Sequence, residues 1–141
     1  MKGVLPMTIA VRYYTKSGNT AKLANAIADA LGVPAETIDK PLNAKVDILF
    51  LGCSYYAFDM DPQVKAFLAA NQSNIGTLVC FGTSAMMKSM KKPLQKVLSN
   101  TSIHLSDAEF HCRGEFHFAN KGRPNADDLQ AAAAFAKSIV K

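Results

Sequence analysis

Cysteine is scarce and widely spaced in this sequence, with only Cys53, Cys80 and Cys112 in 141 residues. An odd count at that spacing fits neither a disulfide framework nor a zinc pattern, and a reducing compartment is the simplest reading. Long hydrophobic runs are absent too. No stretch reaches the roughly 18 apolar residues of a membrane span. The opening MKGVLPMTIAV is interrupted by Pro6 and closed by Arg12 too soon for a secretory leader. Together these absences predict a cytoplasmic protein with no membrane insertion. His104, His111 and His117 lack metal-ligand spacing, and no Ser-His-Asp arrangement can be read from their order, so neither a metal nor a catalytic side chain is assigned. The first predicted strand has no acidic residues just beyond it, which excludes a phosphoacceptor receiver domain. A Walker A loop and a Gly-x-Gly-x-x-Gly fingerprint are both missing.

What is present is an ordinary globular balance, 49% hydrophobic and 19% charged, in a length that suits one compact domain over residues 1–141. The formal net charge is +5, which is compatible with nucleic acid, acidic partners or anionic small molecules. The lysines are scattered except for Lys88, Lys91, Lys92 and Lys96. That cluster reads first as a solvated helix face, and no nucleic-acid motif accompanies it, so nucleic acid is not an expected partner.

Strands and helices alternate along the chain. Met7–Tyr14 is rich in β-branched and aromatic residues and reads as a strand. Leu23, Ala26, Ile27, Ala30 and Leu31 have helical spacing, with Gly32 and Pro34 as the stop. Ala35–Ile38 is a short strand. Val46–Leu51 and Ile75–Phe81 are near-continuous apolar runs, the mark of strands covered on both faces. Asp61 and Pro62 cap and open a helix that turns Val64, Phe67 and Leu68 inward. A helix from Lys91 or Lys92 to Leu98, a strand over Asp107–Cys112 and a helix over Asn125–Val140 complete the order, with Asn125 as a cap. The connection DKPLNAK between the second and third strands is too short for an ordinary crossover helix. The predicted class is α/β, a three-layer doubly wound parallel sheet with helices on both faces.

In such a sheet, ligands bind beyond the carboxyl ends of the strands, where strand order reverses. The first loop there is Thr15-Lys16-Ser17-Gly18-Asn19-Thr20. Backbone N–H groups converge at the start of the following helix, and its dipole favours an anion. Gly18 permits the turn, while the hydroxyls of Thr15, Ser17 and Thr20 and the amide of Asn19 are donors for phosphate oxygens. One helix cap would explain one such residue and not four in a single loop. With the pyrophosphate and triphosphate motifs missing, a phosphate monoester is the expected ligand.

This loop resembles the [Ser/Thr]-x-[Ser/Thr]-Gly-Asn-Thr phosphate loop of flavodoxins, and it follows a first strand as it does in that family. The resemblance covers nearly the whole chain, most specifically residues 9–31, and favours the short-chain type. It implies a five-stranded sheet in the order 2-1-3-4-5 with FMN as cofactor. It also implies an electron-transfer protein that relays electrons between a reductase and an acceptor.

The second loop, GCSYYAFDMDP, takes the place of the loop that lines the flavin ring, and Ser54, Tyr55, Tyr56 and Ala57 are carried over as ring-binding positions. The third loop begins at Gly82, Thr83 and Ser84, whose N–H groups are placed to meet the pyrimidine oxygens of the flavin. Met86 and Met87 read more readily as gap-filling core. Two departures from the family stand out. No aromatic residue occurs between Gly82 and Leu98, which leaves one ring face open, and the chain is basic where flavodoxins are usually acidic. A redox partner protein docking by charge would therefore be acidic. The open third loop keeps a second reading in view, an FMN-dependent NAD(P)H oxidoreductase acting on a quinone-like substrate. A third is a flavodoxin-fold anion-binding module without flavin.

Overall fold

The computed structural model describes residues 7–15, 18–53, 61–84, 89, 91–113 and 122–140. Its elements are β1 (Ile9–Tyr13), α1 (Asn19–Leu31), β2 (Ala35–Thr37), β3 (Val46–Gly52), α2 (Pro62–Asn71), β4 (Ile75–Ser84), α3 (Lys91–Val97), β5 (His104–Arg113) and α4 (Ala126–Val140), with a short 3-10 turn at Gln72–Asn74. The strands form one five-stranded sheet in the order β2-β1-β3-β4-β5, and every pairing is parallel. This is the doubly wound order that the flavodoxin resemblance implied.

The two apolar runs become the central strands. Alternate side chains of β3 enter opposite layers, as the pleat requires. Leu49 and Leu51 join Val64, Phe67, Leu68, Leu78 and Leu94 on the α2 and α3 face. Ile48 and Phe50 join Leu23, Ile27, Phe81, Ala132 and Ala136 on the α1 and α4 face. The predicted caps are in place. The Asp61 side chain accepts from the Gln63 N–H at 2.9 Å. Asn125 Oδ1 accepts from the Asp128 N–H at 3.0 Å, and the Asp128 carboxylate accepts in return from the Asn125 N–H at 2.8 Å. Arg123 clamps the same carboxylate and holds Asp128 below the usual carboxylate range.

One feature differs from expectation. β5 begins at His104, three residues before the predicted start, because Ser106 and Asp107 form an irregularity inside the strand and not its boundary. Leu78 pairs with Leu105 and Cys80 with Glu109, so two steps along β4 face four along β5. The crossover from β2 to β3 is as brief as expected and contains turns and bends but no helix. Its place is held by polar contacts and one buried leucine. Arg12, buried in β1, donates through Nε to the Lys40 carbonyl at 2.9 Å and through an Nη to the Pro41 carbonyl at 3.3 Å. Its other Nη lies 3.3 Å from Glu36 Oε1. Leu42 fills the α2-side core, its N–H bonded to Asn71 Oδ1 at 3.0 Å and its carbonyl to the Asn74 amide at 3.2 Å.

Replacing Arg12 with alanine strands two carbonyls and a carboxylate beneath the crossover. Hydrogen bonds to a charged group are worth roughly 1.5–3 kcal/mol each, partly recovered by water here. Urea unfolding of Arg12→Ala is expected to show a loss of about 2 kcal/mol.

Candidate functional site

The sheet order reverses between β1 and β3. The helix after β1 packs on one face and the helix after β3 on the other, which opens a crevice at their carboxyl ends. The chain closes this end of the sheet tightly. The Tyr14 N–H donates to the Gly52 carbonyl at 2.9 Å, and the Cys53 N–H donates to the Phe81 carbonyl at 3.1 Å. Gln63 Nε2 donates to the Tyr14 hydroxyl at 3.2 Å, linking the end of β1 to the start of α2.

Gly18 stands at the N-cap of α1 in the left-handed region, φ 90°. A glycine there brings no capping oxygen, and the first turn of α1 contains no acidic residue. The positive end of the helix dipole is therefore not offset by a carboxylate of its own first turn. The Gly18 N–H donates to Thr15 Oγ1 at 2.9 Å, which folds the loop back on itself. That hydroxyl still has its own proton to donate. A Cβ added at Gly18 would meet nothing within 4 Å. A helix start with a glycine cap and hydroxyl donors fits a phosphate.

Thr20 is completely buried, and its hydroxyl lies 3.4 Å from that of Thr83, itself buried at the end of β4. The first loop and the third are thus tied through a pair of side chains. Asn19, also buried, sits beside it in the first turn. Two glycines allow this convergence. At Gly52, a Cβ would come within 2.6 Å of the Phe81 ring and 2.8 Å of the Thr20 methyl. At Gly82, a Cβ would lie 1.9 Å from the Cys53 carbonyl oxygen, a backbone atom that cannot step aside.

Of the predicted site residues, Thr15, Gly18, Asn19, Thr20, Gly82 and Thr83 converge on this end of the sheet, with Ser84 next along β4. Lys16, Ser17, Ser54, Tyr55, Tyr56 and Ala57 lie outside the described residues, as do Met86, Met87, Lys88 and His117. Sequence reasoning passed over Gly52 and Tyr14. The glycine that closes the apolar run of β3 was the available signal for the first, and nothing local marks the second.

The cysteines are buried and free. The Cys80 thiol is pushed up by its contact with Cys53 and by burial, and burial raises Cys112 to about 11. A raised pKa at Cys80 and Cys112 is the opposite of what a reactive thiol needs. On β5, His111 Nε2 lies 2.9 Å from Glu109 Oε1 but off the line of a hydrogen bond, and it makes no aligned bond elsewhere among the described residues. Burial lowers the His111 pKa below its ordinary 6.5, against the opposing pull of Glu109.

No family model matches the sequence. An uncharacterized protein of Methanocaldococcus jannaschii is 30% identical over 137 residues, which span 87% of this chain and 91% of that one. Among solved structures, a flavodoxin from the domain Archaea superposes with a TM-score of 0.72 at 17% identity, covering 95% of this chain and 96% of the other. A flavoprotein from Lactobacillus acidophilus, solved in complex with FMN, superposes with a TM-score of 0.60 at 14% identity, covering 76% and 93%.

Two outcomes follow from the site geometry. Gly82→Ala forces β3 and β4 apart and is expected to destabilise the fold by roughly 3 kcal/mol or more. Gly18→Ala meets only backbone strain, about 1–2 kcal/mol, and chemical denaturation of the two variants should rank them in that order. The pH dependence has a definite sign. His111 binds its proton more weakly in the folded chain, so the unfolded state takes up more protons and stability falls as pH drops through 6.5. His111→Gln is expected to flatten that slope in urea unfolding series across the same range.

Proposed function

Because this chain belongs to a flavodoxin-like family together with the Methanocaldococcus jannaschii protein, we propose that it binds FMN and relays electrons between a reductase and an acceptor. The observation that carries the reading is the start of α1. A left-handed glycine without a capping side chain, no acid in the first turn, and a loop of hydroxyl residues together suit a phosphate monoester. In this reading the loop over residues 15–20 holds the FMN phosphate. The backbone at Gly82 and Thr83 meets the polar edge of the ring, and Ser54 to Ala57 line its face. Bound FMN supplies the redox chemistry, and the protein supplies binding, orientation and the local field. No side chain of the chain itself need exchange protons or form a bond.

The test is retention of FMN after filtration, followed by comparison with riboflavin. Riboflavin has the same ring and no phosphate, so it forfeits the charge-assisted bonds of the loop. Two such bonds amount to about 3 kcal/mol, and FMN is expected to bind on the order of 100-fold more tightly. Equal affinities would remove the phosphate loop from the account, and no retention of either would sink the reading. The loaded protein alone should oxidise neither NADH nor NADPH; rapid turnover of either would make it a reductase and not a relay.

A further inference from the structure

Neither the fold nor the candidate site makes use of the outward lysines of α3. This helix, KKPLQKV over Lys91–Val97, has no acidic residue. Leu94 is its buried anchor, while Lys92, Gln95 and Lys96 are exposed. Lys92 and Lys96 stand four residues apart on one face, a spacing at which like charges repel and weaken a helix. Lys91 has a carboxylate near it, Asp107 at 3.7 Å. Lys92 and Lys96 have none within ion-pair distance among the described residues. The other exposed acids on described elements lie away from α3: Asp29 on α1, Asp39 beyond β2, Asp47 at the start of β3, and Asp127 on α4. The helix dipole favours Lys96 in the last turn, and with no carboxylate beside Lys92 or Lys96 among the described residues the outer face of α3 presents uncompensated positive charge to a partner.

The character of the surface narrows what that is. The helix contains no arginine and no aromatic residue, the side chains that give bidentate phosphate contacts and base stacking on nucleic-acid surfaces. An interfacial membrane helix needs a bulky apolar face. Here the exposed large hydrophobic residue among the described ones is Met7, ahead of β1 at the other end of the sheet. A protein carrying carboxylates is the remaining fit. The position has meaning as well, because α3 follows β4, whose end supplies Gly82 and Thr83 to the candidate site.

We propose that the outer face of α3 is a docking surface for an acidic protein, with Lys92 and Lys96 as its contact charges. That this partner exchanges electrons with the chain rests on the FMN reading; the docking itself does not. Charge complementarity of this kind acts through encounter rate and salt dependence.

The experiment uses the full chain and, as probe, a small acidic iron–sulfur carrier protein, with affinity measured calorimetrically at low and high salt. The wild type is expected to bind at low salt and to lose the carrier as salt rises. Lys92→Glu with Lys96→Glu should weaken binding at least about tenfold. The control is Lys40→Glu with Lys45→Glu, exposed residues in the crossover to β3 that impose the same change in net charge; its affinity should stay within about twofold of wild type if the effect is local. Equal weakening in both double variants would reduce the effect to net charge and overturn the proposal. So would failure of the wild type to bind, or tighter binding of poly(U) RNA or phosphatidylglycerol vesicles than of the carrier. A chain that retains FMN but ignores the carrier loses the surface alone. A chain that docks the carrier but rejects FMN loses the flavin reading and keeps the surface.

Discussion

One buried guanidinium holds down the crossover that lacks a helix. A parallel pair separated by an intervening strand needs a crossover, and a crossover needs partners for its backbone. In most such folds a helix satisfies those groups internally. Here the connection between β2 and β3 is too short, and Arg12 turns inward from β1 to bind the Lys40 and Pro41 carbonyls while Asn71 and Asn74 hold Leu42. With that segment fixed, β3 is covered on both faces and can lie beside β1. The crevice between those two strands follows from the arrangement. Five donors in a rigid planar fork suit this task better than an ammonium, which would reach one carbonyl and leave the other dry.

The carboxyl end of the sheet obeys a second constraint, that of close approach. Gly52 leaves room for the Phe81 ring and the Thr20 methyl, and Gly82 leaves room for the backbone of Cys53. Side chains at either position would hold the strand ends apart and break the tie between Thr20 and Thr83. The loop before α1 and the end of β4 are therefore parts of one packed unit, although they lie far apart in sequence.

Much of this was legible from the chain itself, and the reason differs by element. The runs VDILFL and IGTLVCF can only be strands buried on both faces. Asp61-Pro62 and Asn125 announce their helices through local hydrogen bonding that the structure reproduces. The loop from Thr15 to Thr20 stands out as a local motif, of which the structure describes Thr15 and Gly18 to Thr20. What escaped is tertiary. Arg12 looks like the polar end of an apolar run until the crossover above it is seen to lack donors. From the sequence the strand starts at Asp107, yet pairing of Thr77 with His104 and Leu78 with Leu105 carries it back to His104. The tightness at Gly52 and Gly82 is a property of two strands together, invisible in either.

That irregularity in β5 also governs how the molecule ends. β5 is the outer strand of the sheet, and an outer strand offers unpaired N–H and C=O groups to any chain that can match their spacing. The surplus residues between Leu105 and Glu109 put the two halves of β5 out of step with each other. A straight strand arriving from another molecule could match one half and would miss the other. The same residues that hid the start of β5 from a reader of the sequence break the continuity of that edge as a template for a straight sixth strand.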